Sequence, residues 1–212
     1  TVFEKMPVTG GNTRLSDGGL AAPGNHLQRR QGIADSPERF AADILAAGLG
    51  LNHPELVAVL AAGAAGAIAW TRTHLGVAYL DRLDRFGGHS VPRCLTTRGR
   101  SGRDLLKPLM ARLAGLEVPV RTGCRLTRLV RGPGGRVAGV EVQAGGRLPD
   151  AAGRSVLRVR ARRGVVLATG GYAADVPFRR LQAPRLGEAL ATTNQRGATA
   201  EGLMAALAIG AA

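Results

Sequence analysis

The chain has 212 residues, room for one large domain or one and a half small ones, and its 45% hydrophobic content suffices for a core that must be built from Ala, Val and Leu because aromatics are only 3%. The formal charge of +14 comes almost wholly from arginine, with Lys5 and Lys107 the only lysines, and the arginines are scattered, clustering weakly at Arg158-Val-Arg-Ala-Arg-Arg163 without interleaved aromatics, which disfavours a nucleic-acid binder. The two cysteines, Cys94 and Cys124, lack CxxC spacing and imply neither a metal site nor a disulfide framework.

The first stretch with chemical content runs Val2-Phe-Glu-Lys-Met-Pro-Val-Thr-Gly-Gly-Asn-Thr-Arg-Leu-Ser-Asp-Gly-Gly-Leu20. It reads as a short apolar strand ending in an acid, Glu4, followed by a loop with the pairs Gly10-Gly11 and Gly18-Gly19 around Asn12, Thr13 and Ser16. An acid at a strand end can accept hydrogen bonds from ribose hydroxyls in a dinucleotide fold. Paired glycines let backbone approach a ligand closely, although an ordinary surface loop carries such pairs too.

Asp35-Ser-Pro-Glu38 reads as a capping box with Asp35 as N-cap, opening a helix striped by Phe40, Ile44 and Leu45 that stops at Gly48-Leu-Gly50. Asn52-His-Pro-Glu55 repeats the device before a longer helix through Leu56, Val59, Leu60, Ile68 and Trp70, giving a helical insert at about 36–75. The alanine-rich part of that helix is bounded by Glu55 and Arg72, short of the roughly 20 apolar residues that cross a bilayer, so no membrane span is expected. Residues 76–100 are mostly irregular around Gly87-Gly-His-Ser-Val-Pro-Arg93. There His89 as proton donor and Arg93 as carboxylate clamp could face an anionic substrate, or could simply order a loop. His26 and His74 have no neighbouring nucleophile or ligand set. Ser101-Gly-Arg-Asp104 caps a helix striped by Leu105, Leu106, Leu109, Met110 and Leu113, in which Pro108 predicts a kink or a late start.

Val118-Pro-Val120 reads as a short strand, and three alternating segments at 125–130, 136–143 and 155–160 give a β-meander signal over about 125–160. Gly164-Val-Val-Leu-Ala168 is an uninterrupted apolar run, the pattern of a strand buried on both faces of a parallel sheet, and it ends in Thr169-Gly-Gly171. Residues 175–190 read as loop with a short helix, and an Ala/Leu helix with Glu201 in its first turn follows Ala200.

The block Glu4-Lys5-x-Pro7-x-x-Gly10-Gly11-Asn12-Thr13-x-x-Ser16-x-Gly18-Gly19 resembles the second strand and following loop of the FAD-binding domain in the fumarate reductase/succinate dehydrogenase flavoprotein family, especially its flavocytochrome c-like branch. Val165-Val-Leu-Ala-Thr-Gly-Gly-Tyr172 and Thr192-Thr-Asn-Gln-Arg-Gly-Ala-Thr-Ala-Glu-Gly202 resemble that family's late strand and its Thr-Asn-x-x-Gly-Ala-x-Gly-Asp-Gly segment, and the helix openings Asp-Ser-Pro-Glu and Asn-x-Pro-Glu-Leu fit it as well.

The resemblance implies an α/β fold: a partial Rossmann-like FAD-binding domain over residues 1–212, with parallel sheet, helices and meander, lacking the first βα unit with its GxGxxG turn and the capping domain. It implies FAD as cofactor, with Glu4 on the ribose, Gly10, Gly11, Asn12, Thr13, Gly18 and Gly19 beneath the cofactor, Leu126 touching adenine by its backbone, Ala168 and Gly170 on the phosphate side, and Glu201, where the family usually carries Asp, on the ribityl chain. The implied activity is hydride transfer between flavin and an unsaturated or saturated carboxylic acid, with this chain an incomplete and inactive piece whose partners are that small molecule and the remaining portions of the same polypeptide. The family's catalytic arginine and substrate-clamping groups match no position here, so no catalytic residue is assigned. A non-catalytic interaction module on the same fold is the alternative, a basic nucleic-acid binder the more distant one. A sheet without its central first strand is further expected to expose unpaired edges and to be poorly stable alone.

Overall fold

The computed structural model of the chain describes residues 1–145 and 155–211. In chain order it has strands β1 (Val2–Phe3), β2 (Gly19–Ala21), β3 (Cys94–Thr96), β4 (Val120–Arg121), β5 (Cys124–Arg131), β6 (Val137–Ala144) and β7 (Ser155–Arg160). Its helices are α1 (His26–Arg30), α2 (Pro37–Ala47), α3 (Pro54–Leu75), α4 (Arg103–Gly115), α5 (Val176–Gln182) and α6 (Glu201–Leu207). These elements form two compact units, a first of Thr1–Asn12 with Leu116–Ala212 and a second of Thr13–Gly115.

In the first unit β5, β6 and β7 make the expected antiparallel meander, in register Leu129↔Val140 and Val142↔Leu157; its β6–β7 connection, 146–154, lies outside the described residues. Alternation along each strand sends one set of side chains inward. Cys124, Leu129, Val140 and Val142 are buried there and pack with Ala205 of α6, flanked by Phe3 and Leu126. Each buried Val or Leu contributes roughly 1.5–3 kcal/mol, so the sheet-to-α6 contact anchors this unit. β1 pairs in parallel with β4, Val2 opposite Val120 and Phe3 opposite Arg121.

The run 164–168 does not form the expected buried strand: among the described residues it joins none of the three sheets, and Val166 is 90% exposed. An apolar run favours burial, but a strand also needs ladder partners for its N–H and C=O groups. The only parallel ladder among the described residues, β1–β4, is two residues long.

In the second unit β2 and β3 pair antiparallel, Gly19 opposite Thr96, and their side chains Leu20 and Leu95 join Ala22, Leu27 and Ile68 in a small core. The helix starts differ from expectation by one residue each. Ser36, not Asp35, caps α2 by accepting from the Arg39 N–H at 3.2 Å, because the Asp35 carboxylate is taken by an arginine described below. His53 stands at the start of α3 without a side-chain cap, while Asn52 reaches back to the Ile44 carbonyl of α2. α4 runs unbroken from Arg103 through Pro108, with the Ser101 hydroxyl accepting from the Arg103 N–H at 3.2 Å. Proline so near a helix start removes a single intrahelical bond.

α3 buries only Val57, Ala61 and Ile68, leaving Leu56, Val59, Leu60 and Trp70 exposed. At 22 residues it is long and apolar enough to cross a membrane by length and composition alone, which corrects the expectation that no run approaches that size.

Candidate cofactor site

In the first unit the start of the chain is bound to residues almost two hundred positions later. The Glu4 N–H donates to the Arg121 carbonyl at 2.9 Å and the Glu4 carbonyl accepts from Cys124 at 2.9 Å, so β4 and β5 fix its backbone. Its carboxylate bends over the loop, Oε1 accepting from the Met6 N–H at 2.8 Å, and Oε2 takes no protein donor among the described residues. An acid at a strand end with an oxygen left open can accept from a ribose hydroxyl.

Lys5, the next residue, donates to Glu201 Oε2 at 2.8 Å and to the Thr199 hydroxyl, while Arg125 Nη2 stands 3.1 Å from Glu201 Oε1. Burial alone would raise the Glu201 carboxyl, but hydrogen bonds from Lys5 and Thr199 outweigh it and hold the group below its ordinary value. Asn12 bridges the same two regions. Its Oδ1 accepts from the Gln195 N–H at 2.7 Å and its Nδ2 donates to Asn194, whose own side chain is held by Thr192. Asp175 then joins two helix starts, Oδ1 accepting from the Phe178 N–H at 3.0 Å and Oδ2 from the Ala200 N–H at 3.1 Å. Lys5 and Arg125 are the partners that sequence reasoning missed; Lys5 stood in the Glu4-Lys5-x-Pro7 block and is one of two lysines in an arginine-rich chain, while Arg125 carried no signal.

Removing the Glu201 charge tests this cluster. Glu201→Gln loses charge-assisted bonds of roughly 1.5–3 kcal/mol, so thermal unfolding followed by circular dichroism should drop by several degrees. The sign with pH follows: a carboxyl held low when folded stabilises above its unfolded value, about 4.3, and that stability is lost as pH falls below it. The glutamine variant should therefore lose less stability than wild type over that acid range.

The glycines of the motifs separate into two kinds. Gly10, Gly11 and Gly170 have φ of 109°, 48° and 72°, a region open to glycine at little cost. Gly171 has no such φ, and a Cβ placed on it meets no protein atom within 4 Å. Neither backbone strain nor protein packing requires glycine at 171, which fits a backbone left bare for a ligand. Its neighbour Thr169 fills the space over Gly202 on α6, where a Cβ would lie 2.7 Å from Thr169 Cγ2. Ala168 is exposed beside this turn, and Leu126 lies in β5 opposite Val142, just before an irregularity in the ladder.

Gly18, in the second unit, is required by the protein itself. Its φ is 74° and a Cβ there would lie 2.9 Å from the Ser101 backbone. Gly19 begins β2, facing Asp17 and Phe86, rather than lying in a loop, and the Thr13 carbonyl accepts from Ser16. Arg93 is fully buried and its guanidinium is shared by two carboxylates: Nε and Nη2 donate to Asp35 at 2.8 and 3.0 Å, and Nη1 to Asp43 at 2.5 Å. It also lies 4.8 Å from the Phe40 ring centroid. The clamp expected of Arg93 thus holds protein carboxylates and presents no face to a substrate. His89 packs edge-on to Phe40 with Nδ1 3.6 Å from Cys94 Sγ, and burial together with the Arg93 charge lowers its pKa, which disfavours proton donation at neutral pH. Burial pushes the Cys94 thiol up to about 11, so it packs as an inert hydrophobe.

Along its whole length, residues 1–212, the chain matches the model of the FAD binding domain family. The chain belongs to that family. FAD is accordingly its cofactor, and the open Glu4 oxygen and the bare Gly171 backbone fit such a group. The chain is 34% identical to the acrylate reductase flavoprotein subunit of Shewanella woodyi over 99% of its own length and 41% of that protein. It is 34% identical to the urocanate reductase of Eggerthella lenta over 99% of its length and 34% of the relative. In structure it is similar to the open conformation of a flavocytochrome c3 fumarate reductase, with a TM-score of 0.86 at 30% identity, over 99% of this chain and 36% of that one. The chain thus spans well under half the length of these relatives.

Proposed function

We propose that the chain forms the FAD-binding part of a reductase acting on a small unsaturated carboxylic acid. When bound, FAD supplies the hydride chemistry; the residues here bind and orient it. Glu4 accepts from the ribose, the backbone at Gly10, Gly11, Ala168, Gly170 and Gly171 lies along the cofactor, and Leu126 offers main-chain groups to adenine. Asn12 and Lys5 position the late segment, and Glu201 faces the ribityl hydroxyls with its charge balanced by Lys5 and Arg125. The observation that carries this reading is Glu4, held at a strand end by the Met6 N–H with its Oε2 free of protein donors among the described residues. An acid substrate is favoured because the relatives at 34% identity are named for acrylate and urocanate.

The test is the visible spectrum of the purified protein. A flavin band that bleaches on reduction and returns on adding acrylate, urocanate or fumarate supports the proposal; colourless protein in the presence of added FAD overturns it in favour of a non-catalytic module. Gly171→Ala sharpens the result. The structure accepts the methyl group without strain, so unfolding temperature should hold, while flavin affinity falls about tenfold, within the roughly 1–3 kcal/mol cost of overpacking.

A further inference from the structure

A cleft of about 540 Å³ opens in the second unit between the last turn of α3 and the following segment, lined by His26, Arg72, Thr73, Tyr79 and Arg98 with the backbone of Gly76–Ala78. We propose that it binds a small dianion carrying carboxylate or phosphate groups.

No acidic side chain lines the cleft, and its hydroxyls are already committed. Thr71 donates to the Ile68 carbonyl at 2.7 Å, so the Tyr79 hydroxyl, 2.7 Å from Thr71 Oγ1, must be the donor of that pair. Thr73 donates to the Ala69 carbonyl at 3.0 Å. What remains is cationic. Among the described residues the Arg98 side chain has no hydrogen-bond partner and that of Arg72 has only His26, Nη1 lying 3.0 Å from Nδ1. A guanidinium always donates, so His26 Nδ1 accepts and its ring proton sits on Nε2, adding a third donor. Elsewhere in this unit Arg30, Arg82 and Arg93 stand against Asp81, Asp84 and the Asp35–Asp43 pair. Two guanidinium forks without a carboxylate, in a volume typical of metabolite sites, match the paired oxygens of a small dianion. The His26 ring reports occupancy: burial and then the charges of Arg72, Arg30 and Arg29 lower its pKa against the opposing Asp81, so a bound anion must raise it.

The experiment follows the His26 ring by NMR across pH while the protein is titrated with inorganic phosphate, succinate, or sodium chloride of matched ionic strength. Saturable binding of phosphate or succinate that raises the His26 pKa, and that Arg72→Gln with Arg98→Gln weakens about tenfold or more, is the expected result; whichever dianion saturates first identifies the source. Both arginines are exposed, so the variant should fold, and its amide spectrum checks this. A response equal to that of chloride, or one unchanged in the double variant, overturns the site. So does binding of duplex DNA alone, lost in the double variant, which would assign the cleft to nucleic acid.

Discussion

Replacing Arg93 by methionine should unfold the second unit, or lower its melting temperature by roughly 6–20 °C at neutral pH. Methionine fills much of the volume but leaves Asp35, whose side chain has no exposure, and Asp43, with 14%, facing each other without a cation. Breaking a buried pair by removing one partner costs about 3–5 kcal/mol, a large part of a typical stability of roughly 5–15 kcal/mol. The triple change Arg93→Met, Asp35→Asn, Asp43→Asn should recover most of the loss, because no buried charge is left alone. The pH profile gives an independent check. Burial by itself would raise both carboxyls; in Asp43, bonds from Ser90 and Arg93 prevail and hold it at about 2, and in Asp35, bonds from Arg93 and Gln28 do the same in direction. Both groups therefore add stability above the unfolded value near 3.9 that is lost as pH falls below it, for Asp43 toward about 2. In the methionine variant the sign reverses, and acidification from neutral pH should stabilise it. A variant as stable as wild type at neutral pH would show that the network is dispensable.

Glu4→Ala in the full-length protein should reduce FAD affinity by roughly 10- to 150-fold, since hydrogen bonds to a charged group contribute about 1.5–3 kcal/mol. Glu4 also accepts from its own loop at Met6, so the alanine variant loses some stability as well. Flavin must therefore be counted per folded molecule, by absorbance against the circular-dichroism signal. Glu4→Gln keeps an acceptor for Met6 and removes the charge, and should fall between the two. Unchanged flavin occupancy in folded Glu4→Ala removes the ribose assignment and leaves Glu4 as a turn-holding residue.

The sequence by itself determined the local elements and the family. Period-two alternation placed the meander, the apolar stripes placed α2, α3 and α4, and the glycine blocks at the two ends carried the flavoprotein resemblance, because each of these is written in neighbouring residues. What depends on distant partners needed the tertiary structure. Asp35 reads as a helix cap and Arg93 as a substrate clamp until the fold brings them together at 2.8 Å, where each cancels the other's buried charge. The run at 164–168 reads as a buried strand, yet among the described residues it pairs with none of the three sheets. Gly18 and Gly171 look alike in the chain; only three-dimensional packing shows that the first is bare for Thr97 and Ser101 and the second for nothing within the protein. Composition fixes which groups must be buried or paired, whereas the choice of partner belongs to chain segments far apart in sequence, and only folding makes it.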